Sequence, residues 1–149
     1  MTDTPMQKAV RRINEARELG WTELDLSCLE IQEIPEELRG LDDTLEGLYL
    51  FHTGVSDISL LASLTKLQTL YLWRTGVSDI SPLANLTNLR VLGFDLTNLS
   101  DISPLANLKN LQALGLSRGP LVKSPANIQT LEKLSENGCY IEGAEGFRR

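Results

Sequence analysis

The sequence predicts an α/β fold: a right-handed solenoid with a parallel concave sheet, short convex helices or turns, an N-terminal helix cap and a C-terminal helix-strand cap. Three observations carry that prediction. The stretch LTKLQTLYLWRTGVSDISPLAN (64–85) is followed directly by LTNLRVLGFDLTNLSDISPLAN (86–107), a repeat of 22 residues in one aliphatic frame. Within each unit the motif LxxLxL alternates apolar and other residues as a strand does. Amphipathic segments stand at both ends of the array.

The frame extends in both directions. Leu48 and Leu50 sit 22 positions before Leu70 and Leu72, and LKNLQALGLSRGPL continues it forward. A longer unit opens at TELDLSCLEIQEIPEEL, where Leu24 stands 24 before Leu48. The whole chain, 1–149, reads as a single domain: a helical cap over 1–20, five repeats over 21–123, and a cap and tail over 124–149. A single unit has too few aliphatic side chains to offset the ordering of its backbone, so each must share apolar faces and strand hydrogen bonds with its neighbours.

The caps cover what a stack would otherwise expose, and the array is expected to be closed at both ends. Thr4, Pro5 and Gln7 form a helix-start signature and Gly20 a stop. Met6, Val10, Ile13, Ala16 and Leu19 make the expected apolar stripe. Ser124 and Pro125 open a second helix bearing Ile128, Leu131 and Leu134; Asn137 and Gly138 end it, and CYI can add a strand. Both helices are expected to serve as lids rather than as docking helices. Inside the repeats, SDISP predicts Ser81 and Ser103 as N-caps with Pro82 and Pro104 at the first helical position.

The repeat form LxxLxLxxTxVSDISPLxNLTNL resembles the leucine-rich repeat, in the short variety of bacterial internalin-like proteins. The opening unit RRINEARELGWTELDLSCLEIQEIPEEL resembles the first repeat of bacterial leucine-rich proteins of the Roco type, which begin with a capping helix. These resemblances imply a protein-binding module, and internalin-like relatives commonly engage host proteins. The family has Asn where Thr53, Thr75 and Thr97 stand, so any ladder of backbone hydrogen bonds there must come from a single hydroxyl.

If the leucines of LxxLxL point inward, the residues between them face the concave surface in columns about 4.8 Å apart. The first column runs Glu23, Gly47, Thr69, Val91, Ala113; the second Asp25, Tyr49, Tyr71, Gly93, Gly115; the third Ser27, Phe51, Trp73, Asp95, Ser117. A flanking column runs Cys28, His52, Arg74, Leu96, Arg118. Four of the eight aromatic residues, Tyr49, Phe51, Tyr71 and Trp73, thereby gather in one square. Gly93 and Gly115 beside them are expected to leave a bare floor, and His52, Arg74, Asp95 and Arg118 a polar rim. An apolar centre within a polar edge is the anatomy of a protein interface, and Tyr, Trp and Arg dominate hot spots.

The expected function is therefore noncatalytic binding of another protein. A net charge of −6 argues against nucleic acid and anionic membranes as partners. Nine of the twenty carboxylates fall between Glu23 and Glu46, a solvated face that could also steer a basic partner. No phosphate loop, metal cluster or nucleophile motif is present, so neither cofactor nor metal is expected. Self-association through the same patch is the alternative, with a monomer expected over a homodimer. A remote one is a cysteine enzyme built on Cys28 and His52, the sole histidine. Cys28 and Cys139 fall on the first and last predicted strands, about 24 Å apart, too far to bridge. Reduced thiols and the lack of a signal-peptide-like start suit the cytoplasm, with delivery as an effector the other route.

Overall fold

A computed structural model describes residues 2–95, 99, 101–117 and 124–143, with the Ser117 side chain left aside. Leu96, Thr97 and Arg118 lie outside the described residues. Helix α1 (Pro5–Leu19) is followed by strands β1 (Glu23–Asp25), β2 (Gly47–Tyr49), β3 (Thr69–Leu72), β4 (Val91–Asp95) and β5 (Ala113–Ser117). Helix α2 (Pro125–Glu136) and strand β6 (Tyr140–Glu142) close the order. The six strands form one parallel sheet in sequence order, and 3-10 turns at Glu36–Leu41, Ser59–Ser63, Ser81–Leu83 and Ser103–Asn107 lie between successive strands.

The repeat frame sets the register. Leu24, Leu48, Leu70, Leu92, Leu114 and Ile141 pair in one row across all six strands. All but Ile141 are buried, as are Leu26, Leu50, Leu72, Phe94 and Leu116 two residues on. The aliphatics of the convex turns, among them Leu61, Leu83 and Leu105, fill the same continuous core.

Helix α1 begins as the sequence predicts. The Thr4 hydroxyl accepts from Gln7 N while the Thr4 N–H donates to Gln7 Oε1, and left-handed Gly20 (φ 69°) ends the helix. Its inner stripe differs from the expected one. Ala9, Ile13 and Ala16 are the buried line, Met6 and Val10 are half-buried, and Leu19 is 67% exposed. At ~100° per residue, Val10 and Leu19 sit about 90° off the buried line on opposite flanks. The two alanines let the helix lie close over β1 and the first 3-10 turn, so the bulkier residues are left at the sides.

The turn chemistry also differs from the expectation. The 3-10 turns start at Ser81 and Ser103 themselves, so these serines are not N-caps and the prolines come second. The capping acceptors are aspartates: Asp57, Asp79 and Asp101 each take a 2.9 Å hydrogen bond from the backbone N–H two residues on, at Ser59, Ser81 and Ser103. A carboxylate on a short side chain reaches that N–H, and serine's hydroxyl then adds a second donor.

Thr53 and Thr75 make no ladder between repeats. Their hydroxyls donate back to Leu50 O (3.1 Å) and Leu72 O (2.8 Å) within their own unit. The bond between units is carried instead by the next backbone N–H, Gly54 to Ile31 O and Gly76 to Val55 O. A second bridge comes from asparagines elsewhere in the repeat, with Asn88 Nδ2 donating to Thr65 O and Asn110 Nδ2 to Thr87 O, both at 2.8 Å.

Helix α2 starts and stops where expected, and buries Leu131 and Leu134 against the last 3-10 turn. Asn127 adds a polar anchor: its Oδ1 accepts from the buried Ile102 N–H at 3.0 Å. Cys28 and Cys139 lie beside opposite edge strands and form no disulfide with each other. No helix among the described residues is long and apolar enough to cross a membrane.

Two stability outcomes follow from these contacts. Asn127→Ala strands the Ile102 N–H and should lower unfolding free energy by roughly 1–3 kcal/mol in urea titration. The hydrogen bonds from Ser59 and Ser81 backbones, and from the Ser103 hydroxyl first at Asp101, hold the three aspartates below their ordinary pKa of 3.8. Their contribution is present above that value and is lost as pH falls through the lowered folded ones. A chain with Asp57→Asn, Asp79→Asn and Asp101→Asn should melt below wild type at neutral pH, and the two should converge as pH falls through the lowered folded values.

Candidate interaction face

Period-two alternation aims the residues between the core leucines out of the hollow side of the sheet. Tyr49 and Tyr71 pair across β2 and β3 with ring centroids 5.3 Å apart and planes tilted by 56°. Phe51 is 38% exposed, and Tyr71 and Trp73 are half-buried, so none of the four rings joins the core. Of the four, only Tyr49 and Tyr71 meet ring to ring; Phe51 meets His52 and Arg74, and Trp73 leans toward β4 and β5.

Each ring is held by specific partners. The Tyr49 hydroxyl donates to Glu23 Oε1 at 3.2 Å. Partial burial and then the Glu23 carboxylate hold the Tyr49 pKa above its usual value, which keeps the phenol protonated. The Arg74 guanidinium carbon lies 5.9 Å from the Phe51 ring centre, within cation–π range, and His52 meets the same ring edge-on.

The bare floor expected at Gly93 and Gly115 is partly covered, by Trp73. A Cβ on Gly93 would lie 2.5 Å from Trp73 Nε1, and one on Gly115 would lie 2.9 Å from Trp73 Cζ2. The indole thus lies flat over the backbone of β4 and β5. These glycines let the largest side chain of the face come down onto the sheet, which is why Trp73 is half-buried although it stands in the exposed turn after β3.

Asp95 and Ser27 are occupied as well. Asp95 Oδ2 accepts from the Arg74 backbone N–H at 2.6 Å, and Ser27 Oγ accepts from Phe51 N at 3.0 Å. Asp95 therefore fixes the turn that presents Arg74. The flanking column is set by backbone: Cys28, His52 and Arg74 have φ of 64°, 55° and 54°, in the left-handed region. Non-glycine residues there are strained by roughly 1 kcal/mol or more each. Cys28 and His52 are exposed, and no hydrogen bond joins them among the described residues. The described residues also hold no group of three or more potential metal ligands.

Two residues of this face escaped the sequence reading. Tyr140 pairs with Ala113 and Glu142 with Gly115, so β6 extends the first and second columns. With Tyr71 and Trp73 on the other side, they border a depression of about 280 Å³ floored by β4 and β5. The available signal was the alternation of CYIE; the helix before it broke the 22-residue count.

The family model for leucine-rich repeats in two copies matches residues 43–85 and 66–107, where the stacked leucine row and its 3-10 turns lie. The fold is a leucine-rich-repeat solenoid. Its structural likeness to an internalin, inlF, of Listeria monocytogenes has a TM-score of 0.77 at 31% identity, over 94% of this chain and 42% of that one. A Listeria monocytogenes internalin C2 matches at 0.62 and 24% identity, over 94% of this chain and 78% of that one, a likeness of fold alone. A leucine-rich-repeat protein of Leptospira interrogans matches at 0.60 and 27% identity, over 85% of this chain and 38% of its own. The repeat chain here thus spans less than half of the inlF internalin. No curated protein matches the sequence significantly.

Gly93→Ala tests the geometry of the leucine-rich-repeat face directly. The added methyl must lift the indole off β4, so Trp73 emission should shift to the red while stability changes by only about 1 kcal/mol. An unshifted spectrum, read in a Trp21→Phe background, would place the indole elsewhere.

Proposed function

We propose that this solenoid is a noncatalytic module that binds another protein through its concave face. Tyr49, Phe51, Tyr71 and Trp73 form the contact centre, with His52 and Arg74 at its rim, and Asp95, Gly93 and Gly115 set how Arg74 and Trp73 are presented. Arg118 belongs to the same rim in the sequence frame. The observation that carries the reading is four aromatic side chains held outside the core, two on β2 and β3 and two in the turns just after them.

Leucine-rich-repeat proteins typically bind other proteins, and one similar chain is from the mouse RP105/MD-1 complex, with a TM-score of 0.51 and 31% identity over 66% of this chain and 18% of that one. Rigid aromatic rings lose little entropy on contact, and a preformed sheet needs no reordering, so the face is suited to rapid docking. The reading includes a monomer working in the cytoplasm, a compartment that suits two free thiols, and an opening unit of the Roco type.

Partner capture with wild type and with Tyr71→Ala/Trp73→Ala tests it. Loss of two hot-spot rings should weaken binding by about 2 kcal/mol or more, roughly 30-fold, with the melting curve nearly unchanged. Equal retention of the partner by both proteins would remove the concave face from the interaction.

A further inference from the structure

The convex side carries a second surface with a different chemistry. Capping the stack needs only Ala9, Ile13 and Ala16 of α1, yet Met6 and Val10 stand half-exposed on the flank that faces the convex turns. With half-buried Leu60 they border a groove of about 590 Å³, and buried Ile34 and Pro35 lie at its base. Its rim is acidic: Glu33, Glu36, Glu37 and Asp57 surround it, against the single cation Arg39. Asp57 is committed to Ser59, whereas no hydrogen bond or ion pair engages Glu33, Glu36 or Glu37 among the described residues.

We infer that this groove docks a basic amphipathic helix of a partner protein. Met6, Val10 and Leu60 line the groove together and offer the apolar side chains that one face of a helix would meet. The three unengaged carboxylates stand at its edge, where lysine or arginine flanking that face would meet them. An anionic membrane or a nucleic acid would be repelled by the same rim. This surface is separate from the concave rings, so it acts whether or not they bind anything.

The probe is a fluorescein-labelled synthetic helix of about 14 residues with leucine on one face and lysine on the rest, and a control carrying glutamate in place of lysine. The lysine peptide should bind the full chain saturably at one site, and the control should not. Methyl NMR shifts should fall on Met6, Val10 and Leu60. Glu33→Gln/Glu36→Gln/Glu37→Gln and, separately, Val10→Gln should each weaken binding about tenfold, and Trp73→Ala should leave it unchanged. All five substitutions are on exposed or half-exposed side chains, and thermal melts verify that the variants remain folded. Failure of the lysine peptide to saturate, shifts centred on the concave face, or wild-type affinity in both variants would overturn the inference.

Discussion

The structure depends on one constraint: the leucine at each strand centre must sit beside its counterpart in the next strand. Leu48, Leu70 and Leu92 are fully buried because each is roofed by the turns above and below it. No single turn encloses its own apolar side chains, so stability resides in the contacts between turns. A period of 22 residues keeps that row in phase, and a slip of one residue in any strand would exchange the leucines with the rings. Display of the aromatics is thus a consequence of the same register that builds the core.

Phase alone would leave Trp73 standing in water. The glycines at 93 and 115 solve this by removing two side chains from the neighbouring strands, so the indole rests on peptide planes and exposes one side. The floor and the knob are one feature. Similarly, Arg74 depends on Asp95, which takes the Arg74 N–H after the β3–β4 ladder has ended. That bond helps hold a left-handed arginine whose guanidinium then covers Phe51. Residues that look like rim contacts in a column alignment prove to be supports for the residue one strand earlier.

The strands, their order and the pairing of Tyr49 with Tyr71 were legible in the sequence because they follow from a period and an alternation, which need only residue type and spacing. What was not legible depended on distances. Serine and aspartate both cap turns, and only the reach of the Asp79 carboxylate to Ser81 N decides between them. Met6 and Val10 share a helical stripe with Ile13 by spacing, but Ala9 and Ala16 let the helix approach on a different line. Threonine at 53 and 75 stands at the asparagine position of the repeat, yet a single hydroxyl bonded to its own strand has nothing left for the next unit. Tyr140 and Glu142 were lost when a helix interrupted the count, although the sheet resumed in register after it.

The two outer surfaces of this coil differ in what they would select. On the concave side the rings present area and shape, with the Arg74 cation and His52 at the edge, so discrimination there rests on fit. Around the convex groove the apolar strip is narrow and the carboxylates unpaired, so attraction is long-ranged and sign-specific. A ligand suited to one is poorly suited to the other: a basic helix would meet Arg74 beside Phe51, and a flat apolar surface would bury Glu36 and Glu37 without partners. Burial of an unpaired carboxylate opposes binding more strongly than an added methylene favours it. If both proposals hold, Arg74 on one face and Glu36 and Glu37 on the other would separate the ligands that the two faces take.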